Sequence, residues 1–230
     1  WSTKLYDLAY QNLRKGQNDQ FQIAWFNILL GCADIKSQLG ELKSILNGKI
    51  NFKNLEIDQD KRWNIITKLC AYGDSDYEKL INKEKLKDPG DLGQKRAFMA
   101  RVSIPKPQMK KKYWKMFVEK EQKQSTSYLT YGMQGFFWYK QKNILTEYSD
   151  KFFKEIQNIY QYKDVHFSSN FGEILFPRIL NGHDMFDKTN SFLKENPNIS
   201  KLCKKNLMEQ LDHLKRKIKI LESQKRLNEK

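Results

Sequence analysis

Apolar residues recur every three or four positions along almost the whole chain, and no segment alternates apolar and polar residues convincingly. A period of about 3.6 residues places such residues on one face of a helix, so the pattern predicts α-helices throughout. Capping and breaking residues separate the periodic segments: Asp58 precedes one, Pro107 opens another, and Gly16 and Gly73 follow two more. The sequence therefore predicts an all-α fold of roughly ten to twelve helices joined by short links.

Four consecutive aromatic residues, Phe136 to Tyr139, form a distinctive local segment. On a helix they would cover every side, which predicts a central buried helix. A binding hot spot for a partner protein is the alternative interpretation. Asn143, which follows shortly after, is expected to cap one helix running to Ile159.

The closing part of the chain predicts a long amphipathic helix. Pro197 is expected to start it, and apolar residues continue at helical spacing to Leu221. Residues 222–230 are expected to form a basic tail. Two further expectations concern Asp34 as the cap of an early helix and a helix over residues 167–180 that is interrupted or ended near Pro177.

Composition supports helix packing around a sizeable core. The chain has 230 residues, of which 39% are apolar, with only 5 prolines and 11 glycines. We expect a single helical domain, residues 1–230, in which antiparallel helix pairs form either a bundle or a curved solenoid. Since no fixed-period sequence repeat is evident, any solenoid would be irregular.

The net charge of +15 raises the question of a polyanionic partner. Nucleic acid or an acidic membrane surface is one interpretation, and lysine spread over solvated helix faces is the other. A basic run around Tyr113 and Trp114 resembles a nucleic-acid patch; its lysines are Lys106, Lys110, Lys111, Lys112 and Lys115. The spacing, however, puts Tyr113 and Phe117 on an apolar face, so we favour a solvated helix face over a nucleic-acid module.

Several reaction classes lack their sequence motifs. The chain contains no H-E-x-x-H zinc motif, no G-x-S-x-G elbow and no glycine-rich phosphate loop. His166, His183 and His213 are too far apart to share a helix face, so no metal site and no catalytic residue is assigned in this chain. His183 and Asp184 fit the start of a helix.

The cysteines and the hydropathy give a weak indication of compartment. Cys32, Cys70 and Cys203 form no C-x-x-C pair and lie among apolar residues, so buried thiols in a reducing, cytoplasmic compartment are expected. No apolar run approaches the ~18 residues needed to span a bilayer, so no membrane span is predicted.

A series of short motifs occurs in a fixed order along the chain. They are Asp58-Gln59-Asp60-Lys61-Arg62-Trp63 (D-x-D-x-R-W), Asp88-Pro89-Gly90-Asp91-Leu92-Gly93 (D-P-x-D-x-G), Ala97, Ala100, Arg101 and Pro105 (A-x-x-A-R-x-x-x-P), Lys110 and Trp114 (K-x-x-x-W), Leu175-Phe176-Pro177 (L-F-P), and Glu209, Asp212 and Arg216 (E-x-x-D-x-x-x-R). The series resembles the helical C-terminal domain of the M1 family zinc aminopeptidases, which is like that of the endoplasmic reticulum aminopeptidases and is found in bacterial aminopeptidase N.

The resemblance implies a right-handed α-solenoid of HEAT- or armadillo-like antiparallel helix pairs. In the parent enzyme this accessory domain covers the active-site chamber and shapes peptide access, while zinc and the catalytic motifs belong to another domain. It also implies that the chain is a fragment, because the family's domain normally has further helices before this point. The expected partners are the catalytic domain of the same enzyme and peptides.

The resemblance also suggests substrate contacts. Arg62 and Arg178 are the candidate substrate-binding residues, each able to bind the terminal carboxylate of a peptide. A structural ion pair between Arg62 and Asp58 or Asp91 is the alternative. A non-enzymatic helical scaffold that kept the fold is the second hypothesis for the whole chain, and nucleic-acid binding is the third.

Overall fold

The structure is a computed structural model that describes residues 1–16, 18–180 and 182–228. Within these ranges the chain is helical, apart from turns, links and one isolated antiparallel bridge between Phe52 and Leu55. The predicted all-α class is confirmed. The solenoid stacking of successive helix pairs stays a prediction. No helix in the described ranges is long and apolar enough to cross a membrane.

Contacts divide the chain into two compact units, Trp1–Ile104 and Pro105–Lys230. The helices of the first unit are α1 (Ser2–Lys15), α2 (Asp19–Cys32), α3 (Lys36–Leu46), α4 (Gln59–Ala71), α5 (Tyr77–Lys87) and α6 (Asp91–Val102). Those of the second unit are α7 (Pro107–Val118), α8 (Thr126–Gln134), α9 (Lys142–Leu145), α10 (Tyr148–Tyr162), α11 (Val165–Ile174), α12 (Gly182–Glu195) and α13 (Lys201–Asn228). A single 3₁₀ turn, Tyr139–Gln141, precedes α9.

Helix α4 occupies the centre of the first unit, because it packs against α2, α3, α5 and α6. Its sequence fits that position: every residue from Ile65 to Ala71 is buried. Helices α1 and α2 form an antiparallel hairpin. Ser2 Oγ at the start of α1 donates to Cys32 O at the end of α2, over 2.7 Å.

Some helices begin at the capping residues and prolines that the sequence predicted, and others begin elsewhere. Asp58 caps α4, with its Oδ1 accepting from Lys61 N at 2.9 Å, and Pro107 opens α7. Asp34 does not cap α3, which begins at Lys36 without a side-chain cap. Instead, the backbone N–H of Asp34 donates to Gln38 Oε1, so the side chain of a later residue completes this turn.

The expectation of a buried helix over Phe136 to Tyr139 was wrong. Helix α8 ends at Gln134, and the chain then turns, with Phe136 N–H donating to Met133 O. The side chain of Phe136 is buried whereas that of Tyr139 is exposed. Three of the four aromatics therefore lie in a link between helices.

Other boundaries also differ from the expected ones. Asn143 lies inside the short helix α9, and α10 begins separately at Tyr148. Helix α11 ends at Ile174, shortly before Pro177 as expected, although it begins at Val165 and not at Phe167. Helix α13 starts after Ser200 and continues to Asn228, so the described part of the expected basic tail is helical, while Glu229 and Lys230 lie outside the described residues.

The core of the second unit is built largely from aromatic rings. Trp114 on α7 packs against three rings, those of Phe136, Tyr148 and Phe171, with centroids 5.1 to 5.8 Å away. Phe152 on α10 stacks on Phe171 at 5.7 Å. Offset and edge-to-face contacts of this kind stabilise a core beyond the burial of area alone. The structural interpretation of Trp114 is thus confirmed.

Candidate functional site

The first candidate residue, Arg62, lies one turn into α4. Asp58 fixes that position by capping the helix, and Asp58 Oδ2 also pairs with Lys61 Nζ. Burial alone would raise the pKa of Asp58, but the hydrogen bonds from Lys61 outweigh it and the pKa lies below its usual value. The carboxylate is therefore ionised at neutral pH, and its negative charge interacts favourably with the positive N-terminal end of the helix dipole.

The guanidinium of Arg62 is held from several sides. Its Nε and Nη2 donate to the two carboxylate oxygens of Glu84 at 2.7 Å each, and its Nη1 donates to Leu46 O at 2.9 Å. Glu84 is only 1% exposed and also accepts from Gln59 Nε2 at 2.9 Å. A bidentate pair with buried acceptors fixes both side chains in one geometry.

The electrostatics of Glu84 follow from these contacts. Burial would raise its pKa, but hydrogen bonds from Arg62 and Gln59 and the guanidinium charge outweigh burial, so the pKa lies below its usual value. The same hydrogen bond to Glu84 raises the pKa of Arg62. Both groups are charged at neutral pH, and the pair joins α4, α5 and the end of α3.

The partner of Arg62 differs from the two acids that the sequence suggested. Asp58 is engaged by Lys61, and Asp91 pairs with Lys95 at 2.6 Å. Sequence did carry one signal for Glu84, because it follows the fully buried Ile81 by three residues and so shares its face on α5. A carboxylate on an apolar face indicates a buried cationic partner.

A second group of motif residues joins α4 to the turn before α6. Trp63 Nε1 donates to Asp88 Oδ2 at 2.9 Å, and Arg96 on α6 pairs with Asp60. Gly93 lies against this turn, because a Cβ there would be 2.0 Å from Asp88 O. The D-x-D-x-R-W and D-P-x-D-x-G motifs thus build a structural junction within the first unit.

Arg178, the other candidate, belongs to the second unit and follows the L-F-P segment after α11. Its side chain is half-exposed, and Nη2 donates to Glu173 O at 2.7 Å. Its own carbonyl accepts from Lys217 Nζ of α13 at 2.7 Å. Within the described ranges, Nε and Nη1 of Arg178 make no hydrogen bond. Arg178 therefore has donors left for an incoming anion, unlike Arg62.

Lys110 is the residue that sequence reasoning placed wrongly. It was expected on a solvated face, yet its side chain is 0% exposed and its Nζ donates to Phe136 O at 2.6 Å, 5.0 Å from the Phe136 ring centroid. Burial lowers the pKa of Lys110 to about 7. The residue satisfies a carbonyl in the link after α8 and contributes nothing to a basic surface.

The remaining reactive groups do not converge. Burial raises the pKa of the Cys70 and Cys203 thiols to about 12, which keeps them protonated and unreactive. In the part of the chain that the structure describes, no group of three or more His, Cys, Asp or Glu side chains is placed to hold a metal ion. His166 and His183 lie in the first turns of α11 and α12, and His213 lies on α13.

Two surface hollows, one in each unit, are lined by described residues other than the candidate arginines. A hollow of about 300 Å³ in the second unit is lined by Tyr160, Ser200 and Cys203 among others. One of about 320 Å³ in the first unit lies between α1 and α3, beside Tyr6 and Glu41, whose side chains share a 2.6 Å hydrogen bond. The residues that line the first hollow include no carboxylate or imidazole to act as a base. The second contains hydroxyl and carboxylate groups but no histidine or cysteine.

Comparisons with known proteins give a consistent result. Residues 1–216 match the model of a family described as ERAP1-like C-terminal domain. An aminopeptidase N from Streptomyces lividans is 24% identical to this chain over 186 residues, which is 81% of the chain but only 21% of that protein. The chain therefore spans about a fifth of the length of this relative.

Proposed function

Since the chain belongs to the family of ERAP1-like C-terminal domains of M1 aminopeptidases, we propose that it is an accessory domain that covers the active-site chamber of such an enzyme and limits which peptides enter. The observation that carries this proposal is the family match over residues 1–216 of a chain that has no H-E-x-x-H motif. The motif residues support it, because they form structural junctions between helices instead of a reactive set.

The zinc of an M1 enzyme would be held by another part of the parent protein. The fit to this chain is poor, since no described cluster offers three suitable ligands and the thiols of Cys70 and Cys203 are buried and protonated. In that other part of the protein, zinc would supply an activated water molecule for attack on a peptide bond. The residues of this chain act on the peptide before that step, by admitting and orienting it.

The terminal carboxylate of a peptide is the group that this domain would recognise. Of the two candidate arginines, Arg178 carries the proposal, because Arg62 already donates to Glu84 and Leu46 O. Arg178 has two guanidinium nitrogens without a hydrogen bond in the described ranges and is half-exposed. The second unit also carries most of the excess positive charge, which favours an anionic ligand.

The proposal is tested in the full-length parent enzyme by the variant Arg178→Gln. Peptides with a free C-terminal carboxylate should show a KM raised about tenfold, because a charge-assisted hydrogen bond of about 1.5 kcal/mol is lost. The same peptides with a C-terminal amide, and a short aminoacyl substrate without a peptide tail, should be unaffected. The value of kcat should stay unchanged, since binding is lost equally in the ground and transition states.

A matched control is Arg216→Gln, which removes an arginine of the same unit that is exposed and pairs with Asp212. Its KM for carboxylate peptides should equal that of the unaltered enzyme. Equal KM values of Arg178→Gln and the unaltered enzyme for the carboxylate peptides would contradict the assignment. If the parent enzyme's kcat/KM for peptides depends on neither their length nor their C-terminal charge, the proposed function itself is contradicted.

A further inference from the structure

The hollow between α1 and α3 in the first unit combines aromatic rings with carboxylates. It has a volume of about 320 Å³ and is lined by Tyr6, Asp7 and Tyr10 from α1 and by Gln38 and Glu41 from α3, among others. No lysine or arginine of the described ranges lines it. We call it the α1–α3 hollow. Its charged groups are thus all negative, in a chain whose net charge is +15.

The aromatic wall of the α1–α3 hollow is held in place. Tyr6 is buried, and its hydroxyl donates to Glu41 Oε2 at 2.6 Å, which fixes the carboxylate and leaves its Oε1 open. The ring of Tyr6 stacks on that of Tyr10, and Phe52 contacts Tyr10 edge-on with ring centroids 5.6 Å apart. A ligand would therefore meet a preformed surface, which reduces the entropy lost on binding.

The two carboxylates of the hollow have no cation beside them. Among the residues that the structure describes, neither Asp7 nor Glu41 forms an ion pair. Lys4 and Lys36 are close in sequence, but neither lines the hollow. Burial and the hydrogen bond to Glu41 raise the pKa of Tyr6, and the negative charges of Glu41 and Asp7 raise it further. The hollow therefore favours a positively charged ligand.

The amide of Gln38 adds a hydrogen-bond donor to the same hollow. Gln38 is only 4% exposed, and its Oε1 accepts from Asp34 N at 3.0 Å. Its Nε2 donates to no atom in the described part of the chain. A buried donor without an acceptor is costly. A ligand with a carbonyl oxygen near its cationic group would provide that acceptor.

These groups select an organic cation over a metal ion. In the described ranges no group of three or more His, Cys, Asp or Glu side chains is placed for a metal, and Ca²⁺ needs about six or more oxygen ligands. Aromatic faces and carboxylates together attract organic cations. A guanidinium stacks flat on such a ring and donates to carboxylates through a planar fork, which an ammonium group lacks. An arginine within a peptide also carries the carbonyl oxygen that Gln38 Nε2 lacks.

We propose that the α1–α3 hollow binds an arginine side chain of a peptide. The guanidinium lies against the ring of Tyr10 and donates to the carboxylates of Asp7 and Glu41, and a peptide carbonyl accepts from Gln38 Nε2. The volume of about 320 Å³ is at the low end of ligand pockets, which suits one side chain and its backbone. This site lies in the first unit and does not depend on Arg178 or on the role of the parent enzyme.

An NMR titration of the ¹⁵N-labelled 230-residue chain tests the site with an Ala-Arg-Ala tripeptide that is acetylated and amidated at its ends. Its guanidinium is then its only charge, and we expect a Kd on the order of 1 mM, since a single side chain is bound at an open surface. The same peptide with citrulline, which has nearly the shape of arginine without its charge, should bind at least about tenfold more weakly. The lysine peptide should bind at least about threefold more weakly.

Two variants remove the carboxylates and keep their size. Glu41→Gln and Asp7→Asn should each raise the Kd of the arginine peptide at least about fivefold, because each removes one charged acceptor. Glu41→Gln keeps an oxygen that accepts from Tyr6, so the spectrum of the free variant should show an unchanged fold. The matched control is Glu56→Gln, because Glu56 is an exposed acid that lines a different hollow of the first unit. This variant should bind the peptide like the unaltered chain.

Several results would overturn the proposal. One is the absence of shifts in the resonances of the hollow at about 10 mM arginine peptide. Another is equal binding of the arginine peptide and either its citrulline or its lysine counterpart. A Kd that stays unchanged in both Glu41→Gln and Asp7→Asn, or that rises equally in Glu56→Gln, would also overturn it, because binding would then not depend on this hollow.

Discussion

Two cations of this chain, the half-buried Arg62 and the fully buried Lys110, are stabilised by different means. Arg62 has a carboxylate partner, Glu84, and both groups stay charged. Lys110 donates to the carbonyl oxygen of Phe136 and lies near its ring, and burial lowers its pKa to about 7. A charged ammonium group is costly to bury in an apolar core, so the protonation state of Lys110 affects the stability of the fold.

The titration of Lys110 makes the free energy of unfolding rise with pH. The folded chain releases the Lys110 proton near pH 7, whereas the unfolded chain keeps it up to its usual pKa of 10.5. Between these values the unfolded state binds more protons, so the free energy of unfolding rises with pH. Relative to the variant Lys110→Met, the unaltered chain should gain about 2 kcal/mol between about pH 7 and about pH 9 in urea unfolding.

The control for this measurement is Lys111→Met, which removes the exposed lysine next in sequence. Its unfolding curve should shift with pH in parallel with that of the unaltered chain. If the stability of Lys110→Met also changes with pH in parallel with that of the unaltered chain, Lys110 is charged throughout this range and the prediction is wrong.

At the scale of helices and links, the junction of α4, α5 and α6 depends on a close backbone approach. A Cβ at Gly93 would lie 2.0 Å from Asp88 O and 2.5 Å from Asp88 Cγ. Because Asp88 O is a backbone atom, the backbone of the turn would have to move. The carboxylate of Asp88 also accepts from Trp63 Nε1, and movement of the turn would strain this hydrogen bond.

Gly93→Ala is therefore expected to lower the free energy of unfolding by about 2–3 kcal/mol, the usual cost of overpacking a close contact. Urea unfolding followed by tryptophan fluorescence measures it, because Trp63 is part of the junction. Gly40→Ala is the matched control: Gly40 lies in α3 with nothing within 4 Å of an added Cβ. It should stabilise the chain by about 0.5–1 kcal/mol. A neutral Gly93→Ala would mean that the turn is not tightly packed.

Local signals in the sequence predicted the helices whose ends depend on nearby residues. Asp58 and Pro107 fixed α4 and α7 as expected, because a cap and a proline act within one turn. The prediction at Phe136 was wrong because the turn after α8 depends on Lys110, 26 residues away in the sequence. Lys110 Nζ donates a hydrogen bond to the carbonyl oxygen of Phe136. The spacing from Ile81 indicates that Glu84 is buried, but its pairing with Arg62 has no local signal, because the packing of α5 on α4 decides it.

At the scale of the whole molecule, the described side chains bind one another and not a reaction centre. Motif residues that are spread over the sequence, such as Arg62, Trp63 and Arg96, all end in contacts between neighbouring helices. The half-exposed Arg178 remains open to other molecules. These contacts fit the accessory role proposed above.

The most direct test of this account is an aminopeptidase assay of the purified 230-residue chain with a fluorogenic aminoacyl substrate and added zinc. The account predicts no hydrolysis above background, because no described cluster can hold zinc and the motif for it is missing from the sequence. Zinc-dependent turnover that copurifies with the chain would contradict it, since the chain would then contain a reaction centre of its own.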